Sequence, residues 1–427
     1  MRLLDLTPHS GQRIIILNKN KNFLHRPKMY SLPTPSSDVS FYPFLNGGVL
    51  FLEGSRRLWA LNSTSAFIWC LLREVASLDE LASRLASTFH IDKTKALKDA
   101  DALLAVFERE GLFDLKPHTE SLENDGDWDI TPMGARLVEP NNWAIKHFFR
   151  IADHLFEFCS QDTAIGHAFT LLMDHLVVNN GGIPDTRLAV IPGVGGEQRW
   201  DLFLDDLSFA ERLPANEVLP HLATLVFVRC CEALKAHLLF HAAVIEKDGT
   251  TVIFPGEAGS GKTTLAAALL ANGCRFFSDE LAVINLDDFY VSPLPLPMSI
   301  KPGSVKPLES YYQGLRDRPI HLRTDGKKVR YLSPALQNLP ETVESSLPVD
   351  FLIFPRYIEG AKNHLVKVDK TEALQRLART GSSNRVFTSR DVEIMITLIE
   401  RRPCYEITYS ELPEAVSILK KYIFKRL

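Results

Sequence analysis

Residues 250–273, TTVIFPGEAGSGKTTLAAALLANG, limit what this chain can fold into more than any other stretch. A β-branched apolar run, Thr251 to Phe254, leads into Gly256, Gly261, Lys262 and Thr263 at the spacing GxxxxGK[ST], and an Ala/Leu helix closed by Gly273 follows. Strand, glycine loop and helix in that order make a phosphate cradle. The glycines let backbone N–H groups turn inward, and the helix start adds its positive end. Lys262 reaches the outer phosphates, and Thr263 offers a hydroxyl to magnesium. The expected cofactors are ATP and Mg2+, held by Gly256, Gly259, Ser260, Gly261, Lys262, Thr263 and Thr264.

Downstream, CRFFSDELAVIN reads as a second strand with Asp279 and Glu280 among apolar neighbours. Carboxylates in that setting are costly unless they meet a cation, a donor or solvent. Beside a triphosphate they have two uses, holding magnesium and accepting a proton from a substrate hydroxyl. Upstream, His241 opens the strand-like HAAVIEKDG; taken alone it reads as a structural histidine. Lys301 in SIKPGS, Arg330 in GKKVRYL and Arg356 after FLIFP are cations in loop or strand-end settings, where each could neutralise phosphate charge.

The balance of charges, −4 overall, gives no basic field that would recruit nucleic acid or an anionic membrane. No run approaches the roughly 20 apolar residues of a membrane span, and a cytoplasmic protein is expected. The six cysteines form no CxxC pair and no secreted-type framework, so they are expected to be reduced and mostly buried. Cys230-Cys231 reads as core packing in the helical stretch His221 to Leu239, with a redox element as the alternative.

At 427 residues the chain has material for two or three domains. Residues 1–38 read as an extension, 39–115 as a small domain, 116–132 (KPHTESLENDGDWDITP) as a polar linker, and 133–427 as an α/β domain containing a helix at Ile145 to Phe158. In the small domain FYPFLNGGVLFLE alternates around an Asn-Gly-Gly turn, and a short strand, Leu58 to Leu61, follows. Three helices come next. Asn62 or Ser63 caps the first, whose apolar face is Ala66, Phe67, Leu71 and Leu72, and Ser77 starts the second. The third begins near Thr94, with Leu97, Ala100, Leu103, Leu104 and Phe107 at helical spacing, and stops at Gly111.

The stretch FHAAVIEKDGTTVIFPGEAGSGKTTLAAALLANGCRFFSDELAVI resembles the nucleotide-binding core of the HPr kinase/phosphorylase family and its relatives. Weaker matches at PLPLPMSIKPGS, DGKKVRYLSP and VDFLIFPRY extend the resemblance over roughly residues 235–415. It implies a P-loop HPr kinase-like C-terminal fold, with Asp279 as catalytic base, Glu280 on the metal side and His241 near the transferred phosphoryl. Two features depart from the bifunctional enzymes: Asp279 is followed by Glu280 where they have a second aspartate, and no EIRG signature of the reverse reaction is present. Kinase activity alone is the expectation, with oligomers by analogy.

Residues 39–113, with LNSTSAFIW, SLDELASRLASTF and ALKDADALLAVFEREGLF, are similar to the PqqD-like peptide chaperone, or RiPP recognition element, a small α+β winged-helix-like domain. That resemblance implies binding of an extended peptide at a sheet edge beside the third helix; a packing module without a ligand is the alternative. Together the parts imply a Ser/Thr kinase acting on a peptide or protein recruited by the N-terminal domain. A small-molecule hydroxyl kinase and an ATPase that drives a binding or assembly switch are the competing readings.

Overall fold

The structure, a computed structural model, describes residues 14–16, 32–53, 57–114, 134, 142–179, 182–193, 198–340, 345–381 and 387–424. The expected linker at 116–132 and most of the expected extension lie outside the described residues. The chain divides into two compact units. The N-terminal unit takes residues up to Gly126 together with Lys370–Arg379 and Arg385–Glu400, and the second unit takes the rest.

In the N-terminal unit four strands form a sheet ordered β1-β4-β3-β2: β1 Ile14–Ile16, β2 Val39–Phe44, β3 Gly47–Leu52 and β4 Leu58–Leu61. The β2–β3 turn is Leu45-Asn46, with Leu45 at φ 53°, so the expected Asn-Gly-Gly turn is shifted and both glycines already belong to β3. A Cβ at Gly47 would stand 2.0 Å from the Leu61 carbonyl oxygen, so the close approach of β4 explains that glycine. Then come α1 Ser63–Leu71, α2 Leu78–Phe89 and α3 Lys93–Arg109. Side chains of Asn62, Ser77 and Asp92 accept from the N–H groups of Ser65, Glu80 and Lys95, closing each helix start. Trp59, Trp69, Leu81, Leu104 and Phe107 fill the core, each contributing about 1.5–3 kcal/mol by burial. Leu97 is 37% exposed, against the apolar face expected of α3.

The second unit opens with a correction. Ile145 to Phe158, expected as a helix, forms two antiparallel strands, β5 Ile145–Ile151 and β6 His154–Ser160, turning at Ala152 with φ 49°. HFFRIADHLFEF satisfies either period, and cross-strand pairing decides: Phe149 faces Phe156 with ring centroids 4.8 Å apart. With α4 Thr163–Met173, β7 Val177–Val178, β8 Thr186–Pro192, β9 Trp200–Leu204, β10 Leu207–Leu213 and α5 Ala215–Ala233, they build a sheet ordered β10-β9-β8-β6-β5-β7. The α5 helix stops short of the expected Leu239, which already belongs to the next strand. All six cysteines are free thiols; Cys70 is exposed, while Cys159, Cys230, Cys231, Cys274 and Cys404 are buried, the adjacent pair turned into the core from the end of α5.

Next are β11 Leu238–Lys247 and β12 Thr250–Pro255, joined over Asp248-Gly249 with φ 50° and 76°, the left-handed geometry that an Asp-Gly hairpin turn supplies. There follow α6 Lys262–Ala271, β13 Arg275–Ser278, β14 Leu281–Ile284, β15 Tyr290–Ser292, β16 Met298–Ile300, α7 Pro302–Leu308, β17 His321–Leu322 and β18 Lys328–Leu332. The remaining elements are β19 Leu347–Pro348, β20 Phe351–Tyr357, β21 His364–Lys367, α8 Lys370–Arg379, α9 Ser389–Arg401, β22 Cys404–Tyr409 and α10 Leu412–Tyr422. The large sheet runs β19-β15-β14-β11-β12-β20-β22-β21, with β13 also on β11, and the small sheet runs β16-β18-β17. Within the large sheet β12, β20 and β22 are parallel, as expected of an α/β domain. Its Ala-rich α6 is buried against β11 and α10 because small side chains let the helix lie close to the sheet. One departure from a single stretch at 133–427 stands out: α8 and most of α9 cluster with the N-terminal unit.

Candidate functional site

Strand β12 ends at Pro255, and the next six residues turn into α6. Gly259 and Gly261 take φ 92° and 94°, which side-chain-bearing residues rarely adopt. A Cβ at Gly261 would also stand 2.2 Å from the Tyr409 hydroxyl, which donates to the Gly261 carbonyl at 2.8 Å. The loop is therefore latched by the end of β22. Beside it Tyr357, the last residue of β20 and the cross-strand partner of Tyr409, donates its N–H to the Ser260 carbonyl at 3.1 Å. The ends of two strands parallel to β12 thus grip the loop, the position where open α/β sheets hold ligands.

Lys262 is buried, and its Nζ folds back to donate to the carbonyls of Gly256 at 2.5 Å and Glu257 at 3.1 Å. Burial pulls its ammonium down to about 8, opposed by the charges of Asp279 and Glu280. The Ser260 hydroxyl is buried without a partner among the described residues. Thr264 is occupied: its hydroxyl donates to Ser304 Oγ at 2.6 Å, tying the loop helix to α7. That bond accounts for Thr264 without a ligand.

Asp279 and Glu280 lie in a bend between β13 and β14, between the pairs Val244–Ser278 and His241–Leu281, and not inside one continuous strand as the sequence suggested. Asp279 is buried and its Oδ1 has no hydrogen-bond partner among the described residues. Burial first, and Glu280 second, push its carboxyl up to about 7, against the pull of Lys262 and of the Thr263 hydroxyl that bonds it. His241 Nδ1 lies 3.0 Å from the Glu280 carbonyl, which makes Nδ1 the donor and leaves Nε2 free to accept. Its backbone N–H donates to Thr380 at 2.5 Å, and burial together with Lys262 holds its imidazole below the ordinary value.

Asp279 and Glu280 also line a cavity of about 80 Å³ together with Met173, Phe227, Leu296, Pro297, Arg323 and Tyr331. Sequence reasoning missed Arg323, Tyr331 and Tyr409, which reach the site through long-range packing; Tyr331 stood inside the matching stretch DGKKVRYLSP, where its neighbour Arg330 drew the attention instead. Among the cations that were expected, Lys301 caps α7 and its charge is felt at His241, Lys262 and Asp279. Arg330 is not brought there: its guanidinium donates to the carbonyls of Arg318 at 3.2 Å and Arg316 at 3.0 Å. Arg356 is exposed, 3.8 Å from Glu406 and next to the Tyr357 that holds the loop. Among the described residues no group of three or more His, Cys, Asp or Glu side chains is gathered as a metal cage. A hard cation at this loop would instead take the Thr263 hydroxyl and one carboxylate, with water and phosphate completing its shell.

In the N-terminal unit, Asn62 caps α1, while Ile68 and Trp69 turn inward from it. Trp69 packs edge-on to Phe107 at 5.2 Å and stacks on Phe113 at 6.3 Å, locking α1 to α3 and to the chain beyond it. Residues 47–112 match the family described as coenzyme PQQ synthesis protein D (PqqD). The match begins with β3 and ends just after α3, so it covers the strand and helix framework that these aromatic contacts hold together. No curated protein matches the chain. Among the described residues no helix is long and apolar enough to cross a membrane.

Proposed function

We propose that the second unit transfers the γ-phosphoryl of ATP to a hydroxyl of a peptide or protein that the PqqD-like domain recruits. The observation that carries this reading is the Asp279 carboxylate, buried, unpaired at Oδ1 and tuned to about 7 beside a phosphate-type loop. The residues fit the cofactor. Two left-handed glycines open the loop, Ser260 and Asp279 keep unmet polar atoms, and Lys262 is parked on loop carbonyls that a stronger anion would displace. Bound ATP supplies the phosphoryl group, and its Mg2+ compensates charge as that group moves.

The chain's own groups do the rest. Loop N–H groups and Lys262 would hold the phosphates, while Thr263 and Glu280 would hold the metal. Asp279 accepts the proton of the attacking hydroxyl, for which a pKa near neutrality is suited. His241, anchored through Nδ1, offers Nε2 near the same proton, and Lys301 offsets negative charge. Phe227, Leu296, Pro297 and Met173 give the cavity an apolar side against which the carbon atoms of an acceptor side chain can pack. Its size suits a Ser or Thr side chain.

The test is incubation of the full chain with γ-labelled ATP and the peptides or proteins encoded nearby, followed by mass spectrometry. Phosphate on a Ser or Thr is the expected result. Label appearing only as free phosphate, at a rate no hydroxyl acceptor changes, would replace this reading with a nucleotide-driven switch.

A further inference from the structure

The two edges of the N-terminal sheet are treated differently. Glu53 N donates to Asp38 O at 2.8 Å, in register with the β2–β3 ladder, so even-numbered residues of β2 bond to β3 and residues 39, 41 and 43 face outward. Of these, the Val39 N–H is spent on Ser36 O at 3.2 Å, and Pro43 has no N–H to give. Phe41 is the one outward donor left on β2, too few for a ladder, so this edge is blunted against strand addition.

The opposite edge is β4, and the chain itself covers it. Ile14, Ile15 and Ile16 pair in parallel with Leu58, Trp59 and Ala60. Every other pairing in this sheet is antiparallel. A three-residue parallel ladder supplies few hydrogen bonds, each slightly weaker than in an antiparallel pair, and the segment's further contact among the described elements is with α8. The edge that can accept a strand is thus held by a short β-branched segment.

We propose that residues 14–16 are an internal competitor on the β4 edge. The recruited peptide adds to β4 as a strand by displacing them, and it carries a β-branched apolar run of the same kind. This rests on the peptide-recruitment half of the proposed function and not on phosphoryl transfer. Occupancy by the chain's own segment lowers the apparent affinity by the fraction of molecules left open, so a segment docked in about nine molecules of ten weakens binding about tenfold.

The test uses the full chain without nucleotide and a fluorescent synthetic peptide of residues 11–21, GQRIIILNKNK. Fluorescence anisotropy compares the parent with the double variant Ile15→Pro/Ile16→Pro, which removes the ladder donor whichever of the two N–H groups faces β4. The variant is expected to bind the probe at least about tenfold more tightly. The Leu58 and Ala60 amides, which face away from β3, should then exchange hydrogen more slowly on adding the probe, and a probe with proline at both positions should not bind. Ile15→Gly/Ile16→Gly, which keeps every N–H, should shift affinity the same way by less and guards against a folding defect of the proline variant. Equal affinity of parent and both variants, weaker binding by the variants, or no binding to any of them would overturn the proposal. Failure to phosphorylate any peptide while these results hold would count against the kinase reading alone.

Discussion

Residues 32–114 and the second unit treat buried polarity in opposite ways. In the first region Ser65 is the one buried polar side chain among the described residues, and its ion pairs, such as Arg84–Glu80 and Lys93–Asp79, lie at the surface. The second unit buries Glu157, Glu246, Lys262 and Asp279. Glu157 is answered by Lys146 and Arg187, and Glu246 by Arg275 and the Gly249 N–H. Asp279 is answered only in part. Burying a charge costs several kcal/mol unless partners compensate, so an uncompensated group is retained at the expense of stability. The contrast separates a region whose buried polar group is a single serine from one that keeps a buried carboxylate with an unmet oxygen.

The largest effect that sharpens this contrast is on the folding side. Trp69→Ala should destabilise the N-terminal unit by about 3–5 kcal/mol, read by urea denaturation, with nucleotide binding retained. Next, Asp279→Asn should leave nucleotide and magnesium binding intact and lower transfer about a hundredfold or more, roughly 2.7 kcal/mol, in single-turnover assays. Transfer at the parent rate would put the base elsewhere and break the comparison.

The same residue predicts two pH effects. Turnover should rise as pH passes about 7, where the carboxyl loses its proton. Stability should move the other way. The folded chain binds this proton more tightly than the unfolded chain, so the burial penalty is absent below about 3.8 and complete above about 7. Asp279→Asn should therefore gain melting temperature over the parent at about pH 8 and little or none at about pH 4. The smallest effect is at a cap: Asn62→Ala should cost about 1 kcal/mol by the same urea measurement.

Local chemistry was readable and long-range placement was not. The glycine loop, the caps at Asn62 and Ser77 and the stop at Gly111 follow from residues within a few positions of each other. Ile145 to Phe158 was misread because its aromatic residues suit two periods, and only the stacked partner across the hairpin decides between them. The bend at Asp279-Glu280 depends on β11 pairing with two strands in turn. Arg330 carried the right charge, but the carbonyls of Arg316 and Arg318 capture it from twelve or more residues away. Thr264 belonged to the right motif and is engaged by Ser304, forty residues on.

The distribution of thiols makes the molecule its own recorder. Cys70 is exposed on α1, while the five buried cysteines all belong to the second unit. Burial pushes Cys231 and Cys274 up to about 12, so neither will react with an alkylating reagent until its surroundings open. Burial and then Glu74 push the Cys70 thiol up as well, but its exposure leaves it the accessible one, a mark on the N-terminal unit for a fluorophore. The slow ones count openings of the second unit's core in time, and a ligand that closes that core would be seen as a pause in the count.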